Sequence, residues 1–138
     1  MLIQNKTLIM KTKIPLFSLL LVTVFGNCKT DENKCISIQQ ANITSTFTPA
    51  EGLKNTIIPI PVNFGIASGC GQFYSIDEST NGNIRTIKVY VKYEGCVCTA
   101  IAGTLETKYN FTASNAGIYY LKFMENSNSF HTDTIVIK

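Results

Sequence analysis

The nine residues at positions 58–66, IPIPVNFGI, decide the fold. Every second side chain is large and apolar, which is the period of a β-strand with one buried face. The intervening residues, Pro59, Pro61, Asn63 and Gly65, suit a face that is turned away from the core. Because proline cannot donate a ladder hydrogen bond, we expect this strand to lie at a sheet edge or to be distorted.

Strand composition continues from Cys35 to the C-terminus, where Ile, Val, Thr, Phe and Tyr alternate with turn residues. The first predicted strand covers residues 36–47, and Gln39-Gln40 marks a bulge or a switch between sheets. Further strands are predicted at residues 73–76, 86–93, 96–101, 105–111, 119–123 and 130–137. Seven to eight short strands with regular turns predict an all-β chain folded as an antiparallel β-sandwich.

A short motif near the C-terminus refines this prediction. Residues 115–121, NAGIYYL, resemble the segment that enters the sixth strand of immunoglobulin-like domains, where a corner tyrosine follows a glycine by two residues. By this resemblance Tyr119 is the structural corner residue, with its hydroxyl bonded to nearby backbone. Leu121 stands where antibody domains have a cysteine, and the chain has no tryptophan. The resemblance therefore implies an Ig-like sandwich and not an antibody-type domain.

The N-terminus has the pattern of an export signal. Three lysines, at positions 6, 11 and 13, precede the apolar residues 14–26, and no acidic residue comes before them. The apolar run is too short to span a bilayer comfortably, and Gly26 and Cys28 follow it closely. We therefore expect a signal helix within residues 1–27. Ordinary signal-peptidase cleavage after Gly26 and an uncleaved membrane anchor are the alternatives.

The residues around Cys28 resemble the lipobox of bacterial lipoproteins, in which the cysteine becomes the lipid-bearing first residue. Gly26 fits that pattern, whereas Phe25 and Asn27 depart from it. The resemblance implies membrane attachment through lipid at Cys28, a polar tether over residues 28–34 and one sandwich domain over residues 35–138. Residues 29–32, KTDE, resemble a tag that sends some Gram-negative lipoproteins to the cell surface, and a solvated tether is the alternative.

The chain after Cys28 also resembles small uncharacterised lipoproteins of Gram-negative bacteria, a likeness that carries no activity. It implies an exported protein at the outer membrane, on its inner leaflet or exposed at the cell surface.

The net charge of +3 comes from the export signal alone. Beyond Cys28 the chain has nine Lys+Arg and nine Asp+Glu, so this part is formally neutral. A nucleic-acid-binding protein needs surplus basic residues to neutralise phosphates. The sequence therefore predicts no nucleic-acid partner.

Five cysteines leave one odd thiol unless Cys28 carries lipid. The remaining four, Cys35, Cys70, Cys96 and Cys98, are predicted to form two structural disulfides, which persist in an oxidising compartment and stabilise a small domain. On an extended strand Cys96 and Cys98 would fit a mutual bridge poorly, so we expect Cys70 to pair with one and Cys35 with the other. The connectivity stays open. A thiolate metal site and a redox-active pair are the alternatives.

The remaining polar residues give little support for catalysis. His131 and Asp133 alternate on the last strand and so share a face, which we expect to be exposed to solvent. Asp77 and Glu78 are adjacent, so their carboxylates diverge on a strand. The sequence therefore predicts no enzyme, no metal and no cofactor.

Three tyrosines that alternate away from the core, Tyr74, Tyr90 and Tyr120, are the candidate binding surface, because tyrosine combines contact area with a polar tip. Tyr90 and Tyr120 are expected to be neighbours on one sheet, and ordinary cross-strand packing is the alternative.

These observations predict a non-enzymatic exported lipoprotein of the cell envelope that binds an unknown protein or a glycan. The alternative is a periplasmic inhibitor or immunity-type lipoprotein that blocks an enzyme with a disulfide-braced loop, at residues 69–71 or 94–98.

Overall fold

The computed structural model describes residues 35–138, and nine β-strands lie within them. The predicted signal over residues 1–27, Cys28 and the tether to residue 34 lie outside the described residues. The strands in chain order are β1 (Ile36–Gln40), β2 (Ile43–Thr46), β3 (Glu51–Gly52), β4 (Ile58–Ile66), β5 (Gly71–Asn81), β6 (Ile84–Glu94), β7 (Gly103–Phe111), β8 (Gly117–Met124) and β9 (Phe130–Ile137).

The strands form two packed sheets, which confirms the predicted all-β sandwich. One sheet has six strands, in the order β1-β6-β8-β9-β3 with β5 on the other edge of β6, and the second has the order β2-β4-β7. Most pairs are antiparallel, as expected. Two short parallel pairs, β6 with β8 and β3 with β9, depart from the prediction. In the first of these pairs, β8 takes up the half of the β6 edge that β1 does not cover.

The strand with two prolines is β4, which was expected to lie at a sheet edge or to be distorted, and it is not an edge strand. It runs between β2 and β7. The carbonyl of Pro61 accepts the N–H of Phe47 on the β2 side, so the nitrogens of Pro61 and of Pro59, two residues earlier, face that side too. The β2 ladder reaches only Val62. Both prolines are tolerated because they lie beyond the end of the β2 ladder, where a missing donor interrupts no ladder pair.

The expected switch between sheets near Gln39-Gln40 is confirmed. β1 ends at Gln40 in the six-stranded sheet, and β2 begins at Ile43 in the other sheet. The predicted strand over residues 96–101 is wrong, since these residues form a loop between β6 and β7. Residues 35–138 contain nine strands, whereas seven or eight were predicted. The difference arises because the first predicted strand is divided into β1 and β2 after Gln40, and because the two-residue β3 was not predicted.

The core lies between the two sheets and consists of the inward residues of the long strands. Aromatic rings from both sheets meet at its centre, where Phe111 contacts Tyr119 edge-on at 5.4 Å and Tyr109 contacts Phe123 edge-on at 6.2 Å. The largest fully buried side chains are those of Phe64, Phe111, Phe123, Ile60, Ile87, Leu121, Ile135, Ile137, Val62, Val89 and Val91.

Candidate functional site

Two disulfides link the loops at one end of the sandwich. Cys35 is bonded to Cys96 and Cys70 to Cys98, which is one of the connectivities that the sequence left open. The N–H of Gly69 also donates to the carbonyl of Thr99 at 3.0 Å. The start of β1, the β4–β5 loop and the β6–β7 loop are therefore held together, and we call residues 67–70 and 95–102 with Cys35 the disulfide end.

The disulfide end presents aliphatic side chains to solvent. Val97, between two bridged cysteines, is 93% exposed, and Ile101 is 68% exposed. None of residues 67–70 and 95–102 is charged. Residues 96–101 were predicted as a strand, so this protruding surface was not expected from the sequence. The two cysteines flanking Val97 are the signal that could have revealed it, because bridges from both sides force the intervening residue outward.

The corner tyrosine has the bond that the immunoglobulin resemblance implies. The Tyr119 hydroxyl donates to the carbonyl of Asn115 at 3.0 Å, and the ring is buried. This bond fixes the turn that leads into β8, so the residue has a structural role.

The three tyrosines of the predicted binding surface do not form one patch. Tyr74 is exposed in a bulge between Phe73 and Ser75, beside Tyr90. Tyr120 pairs with Ile84, which lies six residues before Tyr90 on β6. At the rise of a β-strand this separation is about 20 Å. The expectation that Tyr90 and Tyr120 are neighbours is therefore wrong, although both lie on the outer face of the same sheet.

Tyr120 instead belongs to an apolar area on β8 and β9. Ile118 is 49% exposed, and Tyr120 and Phe130 are also exposed. The ammonium of Lys122 lies 4.5 Å from the centre of the Phe130 ring, so the one charge of this area rests on an aromatic face. We call this area the Tyr120 face, and its residues are Ile84, Ile118, Tyr120, Lys122, Phe130, Thr132, Thr134 and Val136.

His131 and Asp133 share a face, as expected, but it is the inner face and not the solvent face. They lie opposite Phe123 and Leu121 on β8, whose side chains are buried. The His131 ring stacks on Phe123 with centroids 5.4 Å apart. The prediction failed because alternation shows which residues share a face and not which face meets the core.

Two threonines from the other side of the sandwich bind Asp133. The hydroxyls of Thr46 and Thr48 both donate to its Oδ2 at 2.6 Å. Thr46 Oγ1 is also 3.0 Å from Nε2 of His131, and Nδ1 of His131 is 3.5 Å from Oε1 of Glu125. These threonines lie 85 to 87 residues from their partners in sequence, so no local pattern revealed them.

This cluster superficially matches a nucleophile, a base and an orienting acid. The direction of the hydrogen bonds does not fit this role, however. A threonine hydroxyl has one proton, and Thr46 directs it to Asp133. Nε2 of His131 must then donate to Thr46 and cannot act as its base. The cluster therefore braces β2 against β9, and its geometry does not activate a nucleophile.

A second polar link joins the sheets on the β5–β7 side. The hydroxyl of Tyr109 donates to Oε2 of Glu78 at 2.8 Å. Nε of Arg85 lies 3.1 Å from Oε1 of Glu78, an ion pair whose N–H is not aligned for a hydrogen bond. Burial, with a further contribution from Glu78, raises the pKa of Tyr109 well above its usual range. The phenol therefore remains a proton donor throughout the physiological pH range.

Two open clefts of about 300 Å³ each flank the ring of Tyr93. The Tyr93 hydroxyl accepts the N–H of Ala67 at 2.8 Å. The first cleft is lined by Gln39, Gln40, Ala41, Asn42, Gly65, Ile66, Ala67 and Tyr93, and the second by Cys35, Ile36, Ser37, Tyr93, Gly95 and Cys96. Neither lining contains a carboxylate or a histidine, so these clefts offer no acid–base chemistry.

Within residues 35–138 no three His, Cys, Asp or Glu side chains are grouped so that they could hold a metal ion. In the same part of the chain no helix has the length and apolar character needed to cross a membrane.

Comparison with known proteins identifies the domain. Residues 60–137, more than half of the chain, match the family described as the ORF11 beta-sandwich domain. The matched region runs from β4 to β9 and includes Cys70, Cys96 and Cys98. No curated protein and no solved structure matches the chain. The chain belongs to the family of the ORF11 beta-sandwich domain.

Proposed function

We propose that this protein is an exported lipoprotein of the bacterial cell envelope, anchored at Cys28, which binds another protein through the Tyr120 face. The observation that carries the binding proposal is an apolar area on the outer side of two paired strands, where Ile118, Tyr120 and Phe130 are all exposed. Outward residues of a one-sided sheet are usually polar. Several exposed apolar side chains on that side are typical of an interaction site.

The chemistry of the Tyr120 face favours a protein over a glycan. Aromatic residues are enriched at the centre of protein interfaces, and aliphatic neighbours add area that loses water on contact. Ile118 and Val136 lie side by side across β8 and β9 and extend this aliphatic area. The ammonium of Lys122 rests on the Phe130 ring, which leaves the hydroxyls of Tyr120, Thr132 and Thr134 as the other polar groups of this face.

Export is supported by two disulfides, which persist in oxidising compartments. Lipid at Cys28 is supported by the number of cysteines, because the other four form two disulfides and Cys28 is the fifth. Placement at the outer membrane, facing inward or at the cell surface, follows from the resemblance of the N-terminus to bacterial lipoproteins.

The test is capture of binding proteins from envelope extracts by the full chain and by two matched variants. Ile118→Asp places a charge in the Tyr120 face. Ile38→Asp does the same on β1, on the outer side of the same sheet, where Ile38 is 48% exposed against 49% for Ile118. We expect capture to be lost with Ile118→Asp and retained with Ile38→Asp.

Equal capture by both variants would reject the Tyr120 face as the binding site. Capture that survives proteolysis of the extract and is lost on deglycosylation would assign a glycan in place of a protein.

A second candidate function is inhibition of an envelope enzyme by the loop at residues 95–102. The observation in its favour is Val97, an exposed side chain on a convex loop that two disulfides brace. A preformed loop binds with little loss of conformational entropy. Loss of enzyme inhibition in Val97→Asp, with retention in Ile38→Asp, would support this function.

A further inference from the structure

The point at which the polypeptide enters the sandwich lies at the disulfide end. Cys35 is the first described residue, and its sulfur is bonded to Cys96, next to Val97. The N–H of Gly95 also donates to the carbonyl of Cys35 at 3.0 Å. Whatever precedes Cys35 along the chain is therefore attached beside the exposed aliphatic loop.

The distance from Cys28 to this end is limited by covalent geometry. Seven residue steps separate Cys28 from Cys35. A fully extended chain covers about 3.5 Å per residue, so these steps span at most about 25 Å. A lipid on Cys28 would thus keep the disulfide end within about 25 Å of the bilayer surface.

The composition of the disulfide end suits a bilayer surface. Its loops carry no charge, and Val97 and Ile101 project into solvent. The nearest charges along β6 are Lys92 and Glu94, which pair with each other at 2.6 Å. Aliphatic side chains gain free energy by leaving water at the boundary between headgroups and acyl chains. The two loops have no ionic group whose hydration would oppose this contact, and the nearest charge on the N-terminal side of Cys35 is that of Lys34.

Because the loops are rigid and the chain is tethered, a small apolar contact is sufficient to dock the disulfide end on the membrane. The Cys70–Cys98 bridge and the bond from Gly69 to Thr99 hold the loops in one arrangement, so docking orders little chain. The lipid supplies most of the affinity, and the loop then binds as an intramolecular partner at high effective concentration.

We propose that the disulfide end docks on the membrane, with Val97 and Ile101 in the interfacial region of the bilayer. This inference rests on the lipid anchor of the proposed function. The sandwich then stands on this end, and the Tyr120 face is directed to the side, where a protein can reach it. The bilayer is favoured over an enzyme as the occupant because the tether brings the loop to the membrane.

Single tryptophans provide the test, since the chain contains none. Val97→Trp and Ile101→Trp place the reporter at the disulfide end. Ile57→Trp is the matched control, because Ile57 and Ile101 are both 68% exposed. Ile57 precedes the first residue of β4, whereas Ile101 lies close to the last residue of β4, at the opposite end of that strand. Each full chain is expressed in a Gram-negative bacterium, extracted from its membranes and reconstituted in vesicles of phosphatidylethanolamine and phosphatidylglycerol with brominated acyl chains.

Bromine quenches tryptophan only in contact with the acyl region, so we expect quenching at positions 97 and 101 to exceed that at position 57 by about threefold or more. Equal quenching at all three positions, with lipid on Cys28 verified by mass, would overturn the docking and leave the anchor intact. An unmodified Cys28 would overturn both. Blue-shifted emission at position 97 without quenching would mean that protein covers the loop, in this sample a second copy of the chain, and would overturn the docking.

Discussion

Removal of the Cys70–Cys98 bridge by the double substitution Cys70→Ala and Cys98→Ala should lower the free energy of unfolding by about 3.5 kcal/mol. The two cysteines are 28 residues apart in sequence. The chain-entropy estimate for a loop of that length gives about 3.6 kcal/mol at 25 °C, mostly from restriction of the unfolded chain. The Cys35–Cys96 bridge closes a longer loop, with a separation of 61, for which the same estimate is about 4.3 kcal/mol.

The assay is urea unfolding followed by tyrosine fluorescence, with and without dithiothreitol. A small domain has a total stability of about 5–15 kcal/mol, so either loss is a large share of it. Under reducing conditions the parent chain and the double variant should differ by no more than about 1 kcal/mol, because only side-chain packing then separates them.

Two outcomes would refute this reasoning. A loss below about 1 kcal/mol in oxidised protein would mean that the bridge does not restrict the unfolded chain as assumed. Four free thiols in the unfolded parent chain would mean that the bridges do not form, and the support for an oxidising compartment would go with them.

Three other predictions concern the polar links between the sheets. Tyr109→Phe removes a cross-sheet hydrogen bond and should cost about 1–2 kcal/mol in urea unfolding, whereas Tyr74→Phe at an exposed site should cost almost nothing. Because burial raises the pKa of Tyr109, the folded state holds a proton that the unfolded chain releases, so stability is fully present below about pH 10 and falls above it. Tyr109→Phe should flatten that alkaline fall, and an unchanged profile would contradict the buried phenol. Asp133→Ala removes the acceptor of two hydroxyls and should cost about 2–3 kcal/mol, against less than about 1 kcal/mol for Glu94→Ala at an exposed ion pair. Equal losses in those two variants would contradict the bracing role of Asp133.

The sequence predicted the strands because their buried faces follow a period of two. The alternation of β4 is unbroken from Ile58 to Ile66, and each of its first four apolar side chains is buried. The position of β4 within its sheet could not be predicted in the same way. The missing donors of Pro59 and Pro61 indicate an edge only if the neighbouring strand is as long as β4, and β2 is shorter.

The candidate sites were predicted less well because they depend on contacts between distant parts of the chain. Alternation placed His131 and Asp133 on one face, but only the pairing of β9 with β8 shows that this face is the inner one. Val97 was assigned to a short extended segment over residues 96–101. The two disulfides, whose connectivity a sequence does not fix, are what turn that segment into a protruding loop.

The most direct test of the central claim, a lipid-anchored exported domain, is the mass of the N-terminal peptide of the full chain purified from an expressing Gram-negative bacterium. We expect a chain that begins at Cys28 and carries acyl chains on that residue. A chain that begins at Asn27 with an unmodified Cys28, or one that retains residues 1–27, would contradict it.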